Sequence, residues 1–254
     1  YGDSLTDGFL DTSLATGEFE PWAPVLSDAL GVGAVRVGMS GWTSEEMLLN
    51  TDDRVSRKAD VCGKRAPGLS VLLRAEPRPT HALLMAGTND LGRTTSDAIV
   101  ANLRRLHDIC HAAGCATIAI SIPQTCWSNP QLDDPALMDL NDKRVHINRS
   151  LADYAASKPG QCQYVAMDEE LPYESDSANW APDGLHMSRA GYRRFGAILA
   201  PKIRDFVAPP AADGEPPAKS AASHLYWSRS TTNPAGATPA QKLAEAVAEG
   251  ETLV

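Results

Sequence analysis

Three side chains in this 254-residue sequence are of the types that split acyl bonds: the serine of Tyr1-Gly2-Asp3-Ser4-Leu5-Thr6-Asp7, and the pair in Asp183-Gly184-Leu185-His186. A serine hydroxyl is a weak nucleophile until a neighbouring base takes its proton and donors receive the negative charge that develops. Asp183 and His186 are the right types for that base. Three residues apart in a turn, a carboxylate reaches the Nδ1 hydrogen of the imidazole, fixes its tautomer and leaves Nε2 for a serine proton. Alone, such a spacing is common in satisfied surface pairs. For the oxyanion, Gly38 and Asn89 are candidates for a backbone and a side-chain donor, although either is singly a plain turn residue.

The chain around these residues alternates strand and helix patterns. Ala34 to Met39, the apolar run His81 to Ala86, Ala116 to Ile122 and Gln163 to Met167 read as buried strands. Helices are expected from Pro21 to Leu30, Ser44 to Leu49, Leu69 to Ala75, Ser96 to Ala113, Met138 to Ser157 and Ser188 to Phe206. In the fourth, Ile99, Leu103, Leu106, Cys110 and Ala113 share a face, with Gly114 as C′ residue. In the fifth, the apolar side is Leu140, Val145, Ile147, Leu151 and Tyr154. Strands alternating with helices imply a parallel sheet covered on both faces, with ligands bound outside the carboxyl ends of the strands. Ser4, Gly38, Asn89 and the Asp183–His186 turn all fall at such ends.

Four ordered blocks carry a resemblance: Gly2-Asp3-Ser4-Leu5, Gly38-Met39-Ser40-Gly41, Gly87-Thr88-Asn89-Asp90 and Asp183-Gly184-Leu185-His186. In order and separation they resemble the SGNH (GDSL) hydrolase family over roughly residues 1 to 206. The resemblance implies a flavodoxin-like three-layer α/β/α sandwich and cleavage of carboxylic esters through a seryl acyl-enzyme. It implies Ser4 as nucleophile and oxyanion donor, Gly38 and Asn89 as further oxyanion donors, His186 as general base and acid, and Asp183 as the residue that orients it. It implies no metal and no organic cofactor. In that family an apolar strand precedes the serine block. Only Tyr1 stands there in this sequence, so the first strand is expected to be truncated and the chain to be a fragment of a longer protein. An acyltransferase using the same site, or an inactive scaffold, are the alternatives. The G-x-S-x-G elbow of other serine hydrolases is absent, since Ser40 is followed directly by Gly41.

A rival chemistry resides in His107-Asp108-Ile109-Cys110-His111, where two histidines at i and i+4 share a helix face as zinc-protease ligands do. No third ligand is evident in the sequence, which leaves metal hydrolysis a remote reading. Trp42, Trp127 and Trp180 follow strand ends and are candidate walls of a substrate pocket, or core caps.

The net charge of -9 and pI near 5.1 argue against nucleic acid or anionic membrane as partner. A small-molecule ester is the expected partner. No apolar run is long enough to cross a bilayer. Five cysteines without a C-x-x-C pair suit reduced thiols, which with no visible signal segment leans toward a cytoplasmic protein. Residues 1–207 are expected to form the catalytic domain. Residues 208–254, rich in Pro, Ala and Ser, are expected to be a flexible tail with an isolated helix over 239–249.

Overall fold

The computed structural model describes residues 1–207. The expected tail, its helix and the apolar stretch His224-Leu225-Tyr226-Trp227 lie outside the described residues. The helices are α1 (Ser4–Asp7), α2 (Ser13–Thr16), α3 (Ala23–Leu30), α4 (Ser44–Leu49), α5 (Leu69–Leu72), α6 (Ser96–Ala112), α7 (Pro135–Ala156), α8 (Met167–Glu170) and α9 (Arg189–Val207). Strands β1 (His81–Leu84), β2 (Ala116–Ile120) and β3 (Cys162–Val165) form a parallel sheet in that order. His81 stands opposite Ala116, and Thr117 opposite Cys162.

Beside β1 the sheet continues through single-residue pairings. Gly2 bridges Met85 on one side and Gly38 on the other, both in parallel. The order across the sheet is therefore Gly38, Gly2, β1, β2, β3, which is the 2-1-3-4-5 order of flavodoxin-like proteins. Ala34 to Met39 thus differs from the expected strand. A ladder needs consecutive partners, and this segment meets only Gly2, which donates to Val37 O at 3.1 Å and accepts from Met39 N at 2.8 Å.

Side chains alternate across the sheet as the pleat requires. Ile118, Ile120 and Val165 pack with Leu26 and Leu30 of α3 and with Phe195, Leu199 and Ile203 of α9. Leu84 and Ala119 face the other way, onto Met47 of α4, Leu69 of α5, Ile99, Leu103 and Leu106 of α6, and Ile147 and Leu151 of α7. The result is three layers with two cores.

The helix pattern holds with local corrections. Thr95 caps α6 by accepting from Ala98 N, and Ile99, Leu103, Leu106 and Cys110 are buried, but Ala113 is exposed at the C-cap. Helix α7 starts three residues before the expected Met138, because Asp134 accepts from the N–H groups of Ala136 and Leu137 and Pro135 takes the first helical position. On its buried face Val145 is replaced by polar neighbours: Val145 is exposed, while Arg144 and Asn148 are buried. Their polar atoms are paired there. Arg144 donates to Asp168 at 2.7 Å, and Asn148 exchanges hydrogen bonds with the backbone N and O of Ile122. The last strand ends at Val165, not Met167, because Met167 opens α8.

Candidate active site

Ser4 is the first residue of a helical turn, not of an open turn. Asp3 is its N-cap, accepting from Leu5 N at 3.0 Å, and Gly8 closes it with a φ of 76°. As the first helical residue, Ser4 has a backbone N–H with no partner inside the helix. The turn is pinned from below, since Trp22 donates its indole N–H to Leu5 O at 3.1 Å. Asp7, at the other end of α1, is buried and paired with Lys64 and Arg36.

The Ser4 hydroxyl lies 2.9 Å from His186 Nε2, and His186 Nδ1 lies 2.7 Å from Asp183 Oδ2. These residues are 182 and 179 positions away from Ser4 in the chain, and the sheet brings them into one row. Asp183 also organises its own turn: its Oδ1 accepts from the N–H groups of Leu185 and His186, at 3.0 and 2.9 Å. Burial alone would raise the Asp183 carboxyl, but the hydrogen bond and charge of His186, with those two backbone donors, outweigh it and hold it at about 2. Ser4 and His186 are nearly buried, while the Asp183 side chain is 33% exposed. The Phe9 ring packs on the imidazole at 4.5 Å between centroids.

Gly38 lies against the serine turn. A Cβ there would fall 2.4 Å from Asp7 N and 2.7 Å from Asp3 O, so only glycine permits this approach. Its N–H takes no part in the pairing with Gly2, which uses Val37 O and Met39 N. Asn89 sits in a 3-10 turn (Thr88–Asp90) after Gly87, whose φ of 112° favours glycine. The Asn89 amide donates one hydrogen to Trp42 O at 3.0 Å.

Three carboxylates that the sequence reading passed over hold these loops. Asp90 receives the N–H of Ser44 at 3.0 Å and its hydroxyl at 2.5 Å, which ties the asparagine block to the start of α4. Asp60, in what reads as a polar loop, accepts from the N–H groups of Ser40, Cys62 and Lys64. Asp3 is fully buried, with Oδ2 unpaired, and burial pushes its carboxyl up to about 7. Asp3 and Asp90 stand inside the quoted blocks, so their positions were visible although their tasks were not.

The tryptophans divide. Trp42 and Trp180 are packed into the two cores, and Trp180 donates to Pro172 O at 3.0 Å. Trp127 is 36% exposed. A cavity of about 440 Å³ opens nearby, lined by Asn129, Gln131, Tyr173, Glu174, Asp176 and Ser177. The Tyr173 hydroxyl stands against Gly184, inside the Asp183–His186 turn: a Cβ on Gly184 would come within 3.2 Å of it. His107 and His111 lie elsewhere, at the amino ends of β2 and β3. There Cys162 supplies the third ligand type that the sequence did not reveal.

A parallel α/β/α sandwich with this spacing of blocks has the fold of the SGNH hydrolases. The chain belongs to the GDSL-like lipase/acylhydrolase family, whose pattern matches residues 1–194. No curated protein sequence matches it. Among solved structures it is similar to a carbohydrate acetylesterase family member from Sinorhizobium meliloti, with 21% identity and a TM-score of 0.59 over 82% of this chain and 96% of that one. The native aryl esterase of M. smegmatis is 20% identical, with a TM-score of 0.56 over 81% and 97%. Est24, a carbohydrate acetylesterase from Sinorhizobium meliloti, is 18% identical, with a TM-score of 0.55 over 80% and 95%. At these identities the likeness establishes the fold. Among the described residues, no helix is long and apolar enough to cross a membrane.

Proposed function

We propose that the chain is a serine esterase that hydrolyses carboxylic esters through an acyl-enzyme on Ser4. The observation that carries this reading is the unbroken row from the Ser4 hydroxyl to His186 Nε2 and from Nδ1 to Asp183. His186 takes the serine proton as Oγ attacks the ester carbonyl, and returns it to the departing alcohol. Water then repeats the cycle to free the acid. Asp183, ionised throughout the working pH range, holds the imidazole tautomer and stabilises the imidazolium. The N–H groups of Ser4 and Gly38 and the second amide hydrogen of Asn89 receive the oxyanion.

For the alcohol side, the cavity that shares Tyr173 with the Asp183–His186 turn carries amide, hydroxyl and carboxylate side chains beside the Tyr173 ring, and Trp127 is exposed on the loop after β2. Amide, hydroxyl and carboxylate groups around such a space favour a neutral, hydroxyl-rich alcohol and oppose an anionic one. An O-acetylated sugar fits that description, in keeping with the carbohydrate acetylesterases among the structural neighbours. Trp42 and Trp180 support the site from the core.

The test compares p-nitrophenyl acetate with a fully acetylated monosaccharide. The wild type is expected to turn over both, with acetyl-enzyme on Ser4 detected by mass spectrometry after rapid quenching. Ser4→Ala is expected to abolish the adduct and the turnover. Acetate release that persists in Ser4→Ala sinks the mechanism, and rejection of the acetylated sugar alone sinks the substrate class.

A further inference from the structure

We propose that His107, His111 and Cys162 form a binding site for a borderline transition-metal cation of the zinc class, separate from the esterase site. The two histidines project from one face of the last turns of α6. Cys162 opens β3, directly opposite Thr117 of β2, and this register brings its thiol beneath that face. One ligand atom from each of the three lies within 4.8 Å of the others, and Cys162 Sγ is 4.0 Å from His107 Nδ1. Zinc with bonds of about 2.0–2.1 Å to nitrogen and about 2.3 Å to sulfur needs ligand atoms roughly 3.3–3.6 Å apart. On binding, the set therefore has to contract by about 1.2–1.5 Å at its widest.

A second observation concerns the proton on His111. Tyr154 Oη lies 2.7 Å from Asp108 Oδ1 and 3.3 Å from His111 Nδ1. The phenol gives its hydrogen to the carboxylate, so its oxygen accepts from Nδ1–H, and Nε2 is the unprotonated nitrogen, facing the cluster and the Thr117 hydroxyl. This carboxylate-backed orientation of a ring is the outer support that metal-binding histidines use. In the metal-free cluster the Thr117 hydroxyl serves both rings, 2.8 Å from His107 Nδ1 and 2.9 Å from His111 Nε2. It donates to His111 and accepts from His107.

Binding exchanges these bonds for coordination. The Cys162 thiol loses its proton to solvent and binds as thiolate, His107 moves its ring proton from Nδ1 to Nε2, and His111 binds through Nε2. The fourth position is left to water on the side where His111 is half exposed. One thiolate and two imidazoles, with no carboxylate in the first sphere, select zinc or cobalt over magnesium or calcium. The site joins α6 to β3 at the amino ends of the strands, opposite the rim that carries Ser4, so its expected effect is on stability.

The test is titration of the chelator-treated full chain with cobalt(II), followed by zinc. The expected result is a thiolate-to-cobalt charge-transfer band that saturates at one equivalent, four-coordinate visible bands, reversal by zinc, and a rise in Tm with zinc. Cys162→Ser is expected to abolish the charge-transfer band, and His111→Gln, on the open side, to weaken cobalt binding at least tenfold while keeping the fold. Absence of the band at one equivalent overturns the proposal. So does its survival in Cys162→Ser, or unchanged affinity in His111→Gln. Zinc-independent hydrolysis of p-nitrophenyl acetate is expected in parallel, so the outcome does not depend on the esterase reading.

Discussion

The sheet carries a hydroxyl bonded to an imidazole at each of its ends, and only one of the two is proposed to do chemistry. At the carboxyl rim Ser4 meets His186 at 2.9 Å, and at the amino end Thr117 meets His107 and His111 at 2.8 and 2.9 Å. Distance therefore does not separate them. The difference is what stands behind the ring. His186 has a carboxylate directly on Nδ1, and that carboxylate is one-third exposed and fully ionised. His111 reaches Asp108 only through the Tyr154 phenol, and burial, reinforced by neighbouring His111, holds His107 down to about 3. A base must carry a proton midway through its cycle. The rim imidazole has a carboxylate in direct contact for that moment, whereas the Asp108 charge reaches His111 only through the Tyr154 phenol and His107 only from a distance. Backbone matters as well: Ser4 opens a helix with a free N–H, whereas Thr117 is fully buried inside a strand, where no ester can reach it.

The sharpest way to break this contrast is to remove the rim base. His186→Ala is expected to lower kcat/KM for p-nitrophenyl acetate by on the order of 10^6, and Asp183→Asn by about 10^4. The second loss is smaller because the proposed oxyanion donors would still act and the ring would remain, though in the wrong tautomer. Stopped-flow and steady-state assays on folded, monodisperse variants measure both. A His186→Ala enzyme within tenfold of wild type would show that the row is only structural.

How much of this is legible in the sequence follows from the kind of signal each residue leaves. Ser4, Gly38, Asn89, Asp183 and His186 stand in turns that end apolar runs, so type and position were readable, and α6 announced itself by its spacing of Ile99, Leu103 and Leu106. Pairings between distant segments left no such trace. Arg144 and Asn148 fall outside the apolar side expected for their helix because polarity usually means exposure, yet Asp168 and the Ile122 backbone satisfy their buried polar atoms. Cys162 is 51 residues beyond His111, and only the Thr117–Cys162 register brings it near. Ala34 to Met39 has a strand's composition without a strand's ladder, since composition does not count partners. The burial of Trp42 and Trp180 was likewise a question of which side of a loop faces the core.

The amino-end cluster is tested by a change of one atom pair. Thr117→Val keeps the shape of the side chain and removes the hydroxyl that both rings use. A buried His107 nitrogen and a half-buried His111 nitrogen then lose their partner, at a cost of about 1–3 kcal/mol. Urea denaturation is expected to show that loss while kcat/KM, corrected for the folded fraction, stays within a factor of two of wild type. A parallel fall in kcat would mean that the two ends of the sheet are coupled, and the contrast drawn above would lose its basis.

The smallest expected effect separates the carboxylates of the rim by sign. Asp183 is depressed from 3.8 to about 2 in the folded protein, so its contribution to stability is fully present above pH 3.8 and fades as pH falls through about 2. Because the side chain is one-third exposed, screening reduces that contribution to about 1 kcal/mol or less. Asp3 runs the other way. It is raised from 3.8 to about 7, so its contribution is full below pH 3.8 and is lost as pH rises through about 7. The measurement is the difference in unfolding free energy between wild type and Asp183→Asn, taken from pH 6 down to pH 2, where the Asp3 background is common to both proteins and cancels. That difference is expected to shrink toward zero at the acid end. If it grows instead, burial has outweighed the pairing with His186, and Asp183 is not the ionised partner that the proposed mechanism requires.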